Sequence, residues 1–269
     1  MPIVTIGLNP VLLEIGPLPV TWHGLLTVLA VALGIAITAA LAPRRGLSRQ
    51  MVCSIAWWAV PGGMAGARLL HVLDDLAYYS ADPWQIAAFW EGGFSLFGAL
   101  LGGTIAASAY AGLKKLPVAS YADLAVPGLL VGQIVGRIGD VISGAAYGSP
   151  TSLPWALRYT HPGAATTTRL EVPGHPAALY EALWDLAVLA LIWRAWRRPR
   201  RDGSLFLLYA FAYSAGRFAI TFWRQDRVLF LGLQQAHIVA ILVMAMSVFA
   251  LYHLNRAKRK THAEGSHAP

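Results

Sequence analysis

The sequence predicts an all-α integral membrane protein of seven transmembrane helices, with its amino terminus outside and its carboxyl terminus in the cytoplasm. Three observations carry that prediction. The chain of 269 residues is 57% hydrophobic and only 13% charged, with a mean hydropathy of +0.53, too apolar for a soluble domain of this size. Its apolar residues gather into runs of roughly 20, the length that crosses the hydrocarbon core as a helix. Its short basic segments recur after every second run, and an excess of Lys and Arg marks the cytoplasmic side.

Taken in order, the spans are placed at about residues 20–42, 51–74, 94–113, 121–146, 176–196, 203–222 and 229–254. Residues 1–19 lack the basic start and small-residue cleavage site of a signal peptide, so the first span is expected to stay. Arg44, Arg45 and Arg49 follow span one, and Lys114 and Lys115 follow span three. Arg194, Arg197, Arg198, Arg200 and Arg201 follow span five, and Arg256, Lys258, Arg259 and Lys260 follow span seven. These fourteen of the 21 basic residues fall on one side. The net charge of +8 is thus spread between spans, which argues against a nucleic-acid face.

The opposite side differs. The loop after span two is acidic and aromatic (Asp74, Asp75, Asp82, Glu91, Tyr78, Tyr79, Trp84, Trp90), as suits an interfacial belt. Residues 147–175 form a Pro-, Thr- and Gly-rich connection long enough to suggest a functional role. Residues 1–260 are read as one polytopic membrane domain and 261–269 as a disordered cytoplasmic tail.

The basic residues outside the inner set are Arg68, Arg137, Arg158, Arg169, Arg217, Arg224 and Arg227, every one an arginine. Arg keeps its charge in poorly hydrated surroundings and presents a fork of donors that fits phosphate. Arg68, Arg137 and Arg217 lie within apolar spans, where a charge is costly and usually faces a cavity or a partner. Arg137 and Asp140 are three apart on one span, so local pairing is the simpler alternative to a headgroup site. Glycines beside these arginines (Gly62, Gly63, Gly66; Gly132, Gly136, Gly139, Gly144) allow close helix packing.

Two further clusters follow. In His175-Pro176-Ala177-Ala178-Leu179-Tyr180-Glu181, Pro176 opens span five, and Glu181 shares a helix face with Asp185. A carboxylate in apolar surroundings must find a partner, so Glu181 is expected to orient an arginine. At the end of span six, Arg217, Thr221 and Arg224 fall on one helical face at spacings of four and three. The eight histidines are scattered and the single thiol, Cys53, sits in a span. No metal site, nucleotide loop or hydrolase nucleophile is expected, and no cofactor.

These clusters resemble the prolipoprotein diacylglyceryl transferase family over about residues 11–255. The resemblance rests on Trp22-His23-Gly24, Gly66-Ala67-Arg68, Trp90-Glu91-Gly92-Gly93-Phe94-Ser95, Gly136-Arg137-Ile138-Gly139-Asp140 to Tyr147-Gly148, His175-Pro176 to Tyr180-Glu181, and Arg217-Phe218 with Arg224. It implies a seven-helix enzyme of the bacterial plasma (inner) membrane. Such an enzyme takes phosphatidylglycerol and a lipobox-containing prolipoprotein from the lipid bilayer, moves diacylglyceryl to the lipobox cysteine as a thioether and releases glycerol phosphate. It further implies that Arg137 and Arg217 hold the phosphate and that Tyr147 and Gly148 shape the site. Arg68, His175, Tyr180 and Arg224 complete the candidate substrate contacts.

Several positions depart from the family pattern. Phe97 stands where the family has a histidine, Asp140 and Ser143 where it has asparagines, Thr221 where it has a glutamate, and His23 where it has a tyrosine. Two readings follow. In one, the transferase works through a rearranged network in which His23 or Asp140 accepts the thiol proton and Glu181 replaces the missing glutamate. In the other, a paralogue keeps the lipid cavity for binding, transport or regulation.

Overall fold

The computed structural model describes residues 3–16, 18–88, 93–166, 170–198, 200–225, 228–230 and 232–265. Their architecture is mainly helical. The long helices are α1 (Trp22–Leu41), α2 (Arg49–Asp74), α4 (Leu96–Leu113), α5 (Val118–Ser143), α6 (Ala177–Trp196), α7 (Ser204–Thr221) and α8 (Gln235–Gly265), with a short α3 (Leu76–Ala81) after α2. Among the described residues, four stretches are long and apolar enough to cross a membrane: Trp22–Arg45, Val118–Ser143, Ser204–Thr221 and Gln235–Leu254. Helix α6 has the length but carries Glu181, Asp185 and Arg194. Large apolar side chains lie exposed along α1 (Val28, Leu29), α4 (Leu101, Ile105) and α8 (Met246, Phe249), the outward faces a lipid solvent would cover.

The all-α expectation needs correction at the edges. Residues ahead of α1 form strands β1 (Val4–Ile6), β2 (Val11–Ile15) and β3 (Leu18–Thr21), the last two an antiparallel hairpin turning at Gly16, whose φ is +60°. Strand β4 (Leu157–Tyr159), inside the long connection, pairs in parallel with β1, and β5 (Val228–Phe230) pairs with β6 (Leu233–Gln234). β-Branched residues and short turns favour strands where no 20-residue apolar run exists to sustain a helix. Helix α8 continues to Gly265, into the segment read as tail, and residues 266–269 lie outside the described residues.

The chain divides into two compact units, residues 37–124 and residues 1–36 with 125–269. In the first, α2 and α4 pack backbone to backbone. A Cβ at Gly66 would stand 2.4 Å from the carbonyl oxygen of Gly98, and one at Gly102 would stand 2.3 Å from that of Gly62, so small residues here permit the close approach that dispersion-driven membrane packing uses. In the second, Val126 and Leu130 of α5, Val188 and Ile192 of α6 and Leu205 and Ala212 of α7 make a buried core. That core fixes the three helices whose ends build the polar site.

Candidate functional site

Helices α5 and α7 bring their carboxyl-terminal turns, and α6 its amino-terminal turns, to one end of the second unit. Glu181, 4% exposed, stands at the centre. Its Oε2 pairs with Arg137 of α5, and its Oε1 accepts from Arg217 of α7 and, at 3.2 Å, from Nη1 of Arg224. Arg137 Nη1 donates at 2.8 Å to Oδ2 of Asp140, whose Oδ1 lies 3.2 Å from His23 Nδ1 on α1. Polar contacts therefore run without a break from His23 through Asp140, Arg137 and Glu181 to Arg217 and Arg224.

Local packing sets this arrangement. Gly139 faces His23, where a Cβ would meet the His23 Cα at 3.3 Å. Trp184 donates from Nε1 to the Ala212 carbonyl at 2.9 Å and lies over Gly216, where a Cβ would stand 2.0 Å from the indole nitrogen. This contact locks the turn of α6 that carries Glu181 to the turn of α7 that carries Arg217. The expectation that Arg224 shares a helical face with Arg217 is replaced by another route. The Thr221 hydroxyl donates back to the Arg217 carbonyl, α7 ends there, and Arg224 sits beyond it in an antiparallel bridge with Gly148. Gln234 Nε2 donates to the Arg224 carbonyl at 3.0 Å, a contact from the β5–β6 hairpin that sequence spacing does not reveal.

The long connection 147–175 is built, and it holds the rim. Gly148 N donates to the His175 carbonyl at 3.1 Å, and Ser149 N to the Trp223 carbonyl at 2.7 Å. Tyr147 donates its hydroxyl to the Val172 carbonyl, and Tyr159 donates to Val141 at 2.7 Å. Burial pushes the Tyr159 phenol above its ordinary range. His175 Nδ1 lies 3.3 Å from the Tyr180 hydroxyl, which also accepts from Trp155 Nε1 at 2.8 Å. Burial lowers His175 below the usual histidine range, so the ring is neutral near pH 7. A shallow cleft opens here, lined by Tyr147, Tyr159, His175 and Pro176 among others. It lies beside the rim residues.

Of the candidate residues, His23, Arg137, Asp140, Glu181, Arg217 and Arg224 form the ionic chain, and Tyr147, Gly148, His175 and Tyr180 form the rim. Arg68 belongs to the other unit. There Nε donates to the Ile86 carbonyl at 3.0 Å, Nη1 to Gly93 at 3.1 Å, and Nη2 to Gln85 and Ala88, with the guanidinium over the Tyr79 ring. These contacts tie down the segment after α3. Arg158 donates to Thr5 Oγ1 at 3.1 Å across the β1–β4 pair. Arg169 and Arg227 lie outside the described residues, as does the side chain of Phe97. Polar residues that sequence reasoning passed over, Gln133, Tyr209 and Tyr213, lie one or two helical turns further into the same bundle.

Comparison with known proteins gives this geometry a family. Residues 10–253 match the family model described as prolipoprotein diacylglyceryl transferase. The chain is 37% identical over 257 residues to a phosphatidylglycerol–prolipoprotein diacylglyceryl transferase of Nostoc sp., covering 93% of this chain and 91% of that protein. It is 35% identical over 258 residues to the protein of the same name from Gloeobacter violaceus (95% and 96%) and 36% identical over 256 residues to that from Dehalococcoides mccartyi (94% and 97%). With the match running through every helix that carries the ionic chain, the protein belongs to the prolipoprotein diacylglyceryl transferase family of membrane transferases.

Proposed function

We propose that this protein transfers diacylglyceryl from phosphatidylglycerol to the lipobox cysteine of an exported prolipoprotein, the first step of lipoprotein maturation. The observation that carries the reading is the convergence of Arg137, Arg217 and Arg224 on the single carboxylate of Glu181. Three guanidiniums held at one point in a water-poor site form a preorganised anion cradle. In the reaction the thiolate sulfur attacks the glyceryl carbon that bears the phosphate, the carbon–oxygen bond breaks, and glycerol phosphate leaves with the bonding electrons. Negative charge grows on the phosphate oxygens as the bond breaks, and donors fixed beforehand stabilise it without reorganising.

His23 and Asp140 supply the proton acceptor. A thiol titrates near 8.5 in water, so a positioned imidazole removes its proton at modest cost. Seven spans with the amino terminus outside fit this assignment. The ionic chain sits at the ends of α6 and α7 opposite their basic connection, residues 197–201, and an excess of arginine on the cytoplasmic side supports a position toward the outer side of a bacterial plasma membrane. The prolipoprotein segment enters over the rim built by 147–175.

The experiment is transfer of labelled diacylglyceryl to a lipobox-cysteine peptide by the purified protein in phosphatidylglycerol bilayers. Labelled thioether on the peptide is the expected product, and its absence with folded protein overturns the reading. Arg137→Ala and Arg217→Ala are each expected to weaken phosphatidylglycerol binding roughly thirtyfold, the loss of one charge-assisted pair. Headgroup binding equal to wild type in both would place the phosphate elsewhere.

Gly148 offers a geometric test of the rim. A methyl there would stand 2.4 Å from the His175 carbonyl oxygen and 2.6 Å from its Cβ. Gly148→Ala must displace the bridge that seats Arg224, and transfer is expected to fall roughly tenfold or more, as small misplacements do in preorganised sites. Wild-type turnover in that variant would show the bridge to be dispensable.

A further inference from the structure

Beneath the arginines, the same three helices carry a second tier of polar side chains. Gln133 lies one turn before Arg137 on α5, Asp185 one turn after Glu181 on α6, and Tyr213 and Tyr209 one and two turns before Arg217 on α7. Residues four apart share a helix face. Because Arg137 and Arg217 stand near the carboxyl ends of their helices and Glu181 near the amino end of its own, every one of these steps leads deeper into the bundle. Gln133 Nε2 donates to the Tyr209 hydroxyl at 2.9 Å, and the rings of Tyr209 and Tyr213 lie 5.9 Å apart. Asp185 is 1% exposed. Among the described residues, neither of its carboxylate oxygens has a hydrogen-bond partner, and Gln133 Oε1 has none either.

An ionised carboxylate buried with no donor on either oxygen is far costlier than the neutral acid in the same place. The tier above supplies an independent argument. Arg137, Arg217 and Arg224 face Glu181 and Asp140, so these five side chains carry one positive charge in excess. A phosphodiester carries one negative charge, so the excess matches it. An ionised Asp185 would cancel that excess before any lipid arrived.

We propose that Asp185 is a positioning residue that carries its proton in the resting site, so that its neutrality reserves the arginine excess for the lipid phosphate. This rests on the reading of the cluster as a phosphodiester site. The charged and titratable groups facing Asp185 are Arg137 of α5, Glu181 of its own helix, and Arg217 and Tyr209 of α7, with Tyr213 between the last two. Arg137 and Arg217 favour release of the proton and Glu181 opposes it, leaving the absence of donors to decide. The sign follows from the charge. Below the point at which Asp185 titrates the excess is present, and as pH rises through it the excess disappears and phosphatidylglycerol binding weakens.

The test measures phosphatidylglycerol binding by wild type and Asp185→Asn, a change that preserves shape, at about pH 6 and about pH 9. His23 is present in both proteins, so its titration cancels in the comparison. Wild type is expected to bind more weakly at the higher pH. Asp185→Asn should match it at the lower pH and bind roughly tenfold better at the higher, the effect of removing one nearby charge in a site of intermediate dielectric. In transfer assays the difference should appear in KM and leave kcat unchanged. Asp185→Asn that follows wild type at both pH values, or that loses binding at both, overturns the proposal while leaving the phosphate site intact. Failure of wild type to bind phosphatidylglycerol at either pH overturns the site reading and this inference with it.

Discussion

Glu181→Gln is expected to reduce kcat for diacylglyceryl transfer roughly a thousandfold while leaving KM for phosphatidylglycerol unchanged or lower. The direction follows from what the carboxylate does. It touches Arg137, Arg217 and Arg224 at once, and it cancels one of their charges. The amide that replaces it keeps a single acceptor oxygen, turns its NH2 toward guanidiniums that have no acceptor to offer, and leaves one more net positive charge. An anion is attracted to such a cluster at least as well, so ground-state capture survives. The fixed geometry that meets the charge developing on the leaving phosphate does not, and interactions realised only in the transition state appear in kcat.

Removing one member of a buried ion pair also leaves its partners unpaired, so the variant is expected to lose about 3 kcal/mol of stability in detergent unfolding. Glu181→Asp restores the charge one methylene short. It should recover stability better than rate, because one oxygen pair cannot reach all three guanidiniums from further back. A Glu181→Gln enzyme that turns over at the wild-type rate would mean that the arginines are organised by something other than this carboxylate.

Much of this site is legible before any coordinates, and the reason is energetic. Arg137, Glu181 and Arg217 are conspicuous because a charge inside an apolar run must find a partner, and the partners most available are other charges inside other runs. The long helices coincide with the apolar runs, and among the described residues α1, α5, α7 and α8 have the length and apolar content that a spanning helix needs. Arg68 marks the limit. It satisfies the same sequence criterion as Arg137, yet its donors go to the carbonyls of Gln85, Ile86, Ala88 and Gly93. The five N–H groups of a guanidinium fit a phosphate and a curl of backbone carbonyls alike, so residue type cannot tell them apart. Arg224 was illegible in another way. A helix extrapolated past Thr221 puts it on the face of Arg217, whereas the chain turns at Phe222 and Trp223 and delivers the same guanidinium to Glu181 from an extended bridge. Strand β1 depends on pairing with β4, far along the chain, which local pattern does not encode.

His23→Gln is expected to slow transfer roughly a thousandfold, within the range that a positioned acid–base group contributes. His23 Nδ1 faces Asp140 Oδ1 at 3.2 Å, so the carboxylate holds the hydrogen on Nδ1 and leaves Nε2 as the free acceptor, the arrangement by which a carboxylate orients a histidine base. The resemblance to the family places a tyrosine at 23 and an asparagine at 140. Both members of the contact differ here, and together they make an imidazole–carboxylate pair, a base with its orienting anion, where a phenol and an amide would make only a neutral hydrogen bond. Position 97, where the resemblance places a histidine, carries a phenylalanine.

If the two residues act as a unit, Asp140→Asn should slow transfer less than His23→Gln, and the double variant should be no slower than His23→Gln alone, because removing the orienting group costs nothing once the base is gone. Asp140 also accepts from Arg137 at 2.8 Å, so phosphatidylglycerol binding by Asp140→Asn must be measured beside its rate. Retained binding with a slowed rate assigns the loss to the proton path. Independent, additive losses in the double variant, or wild-type turnover by His23→Gln, would show that the thiol gives up its proton to another group and that the contact between α1 and α5 serves packing.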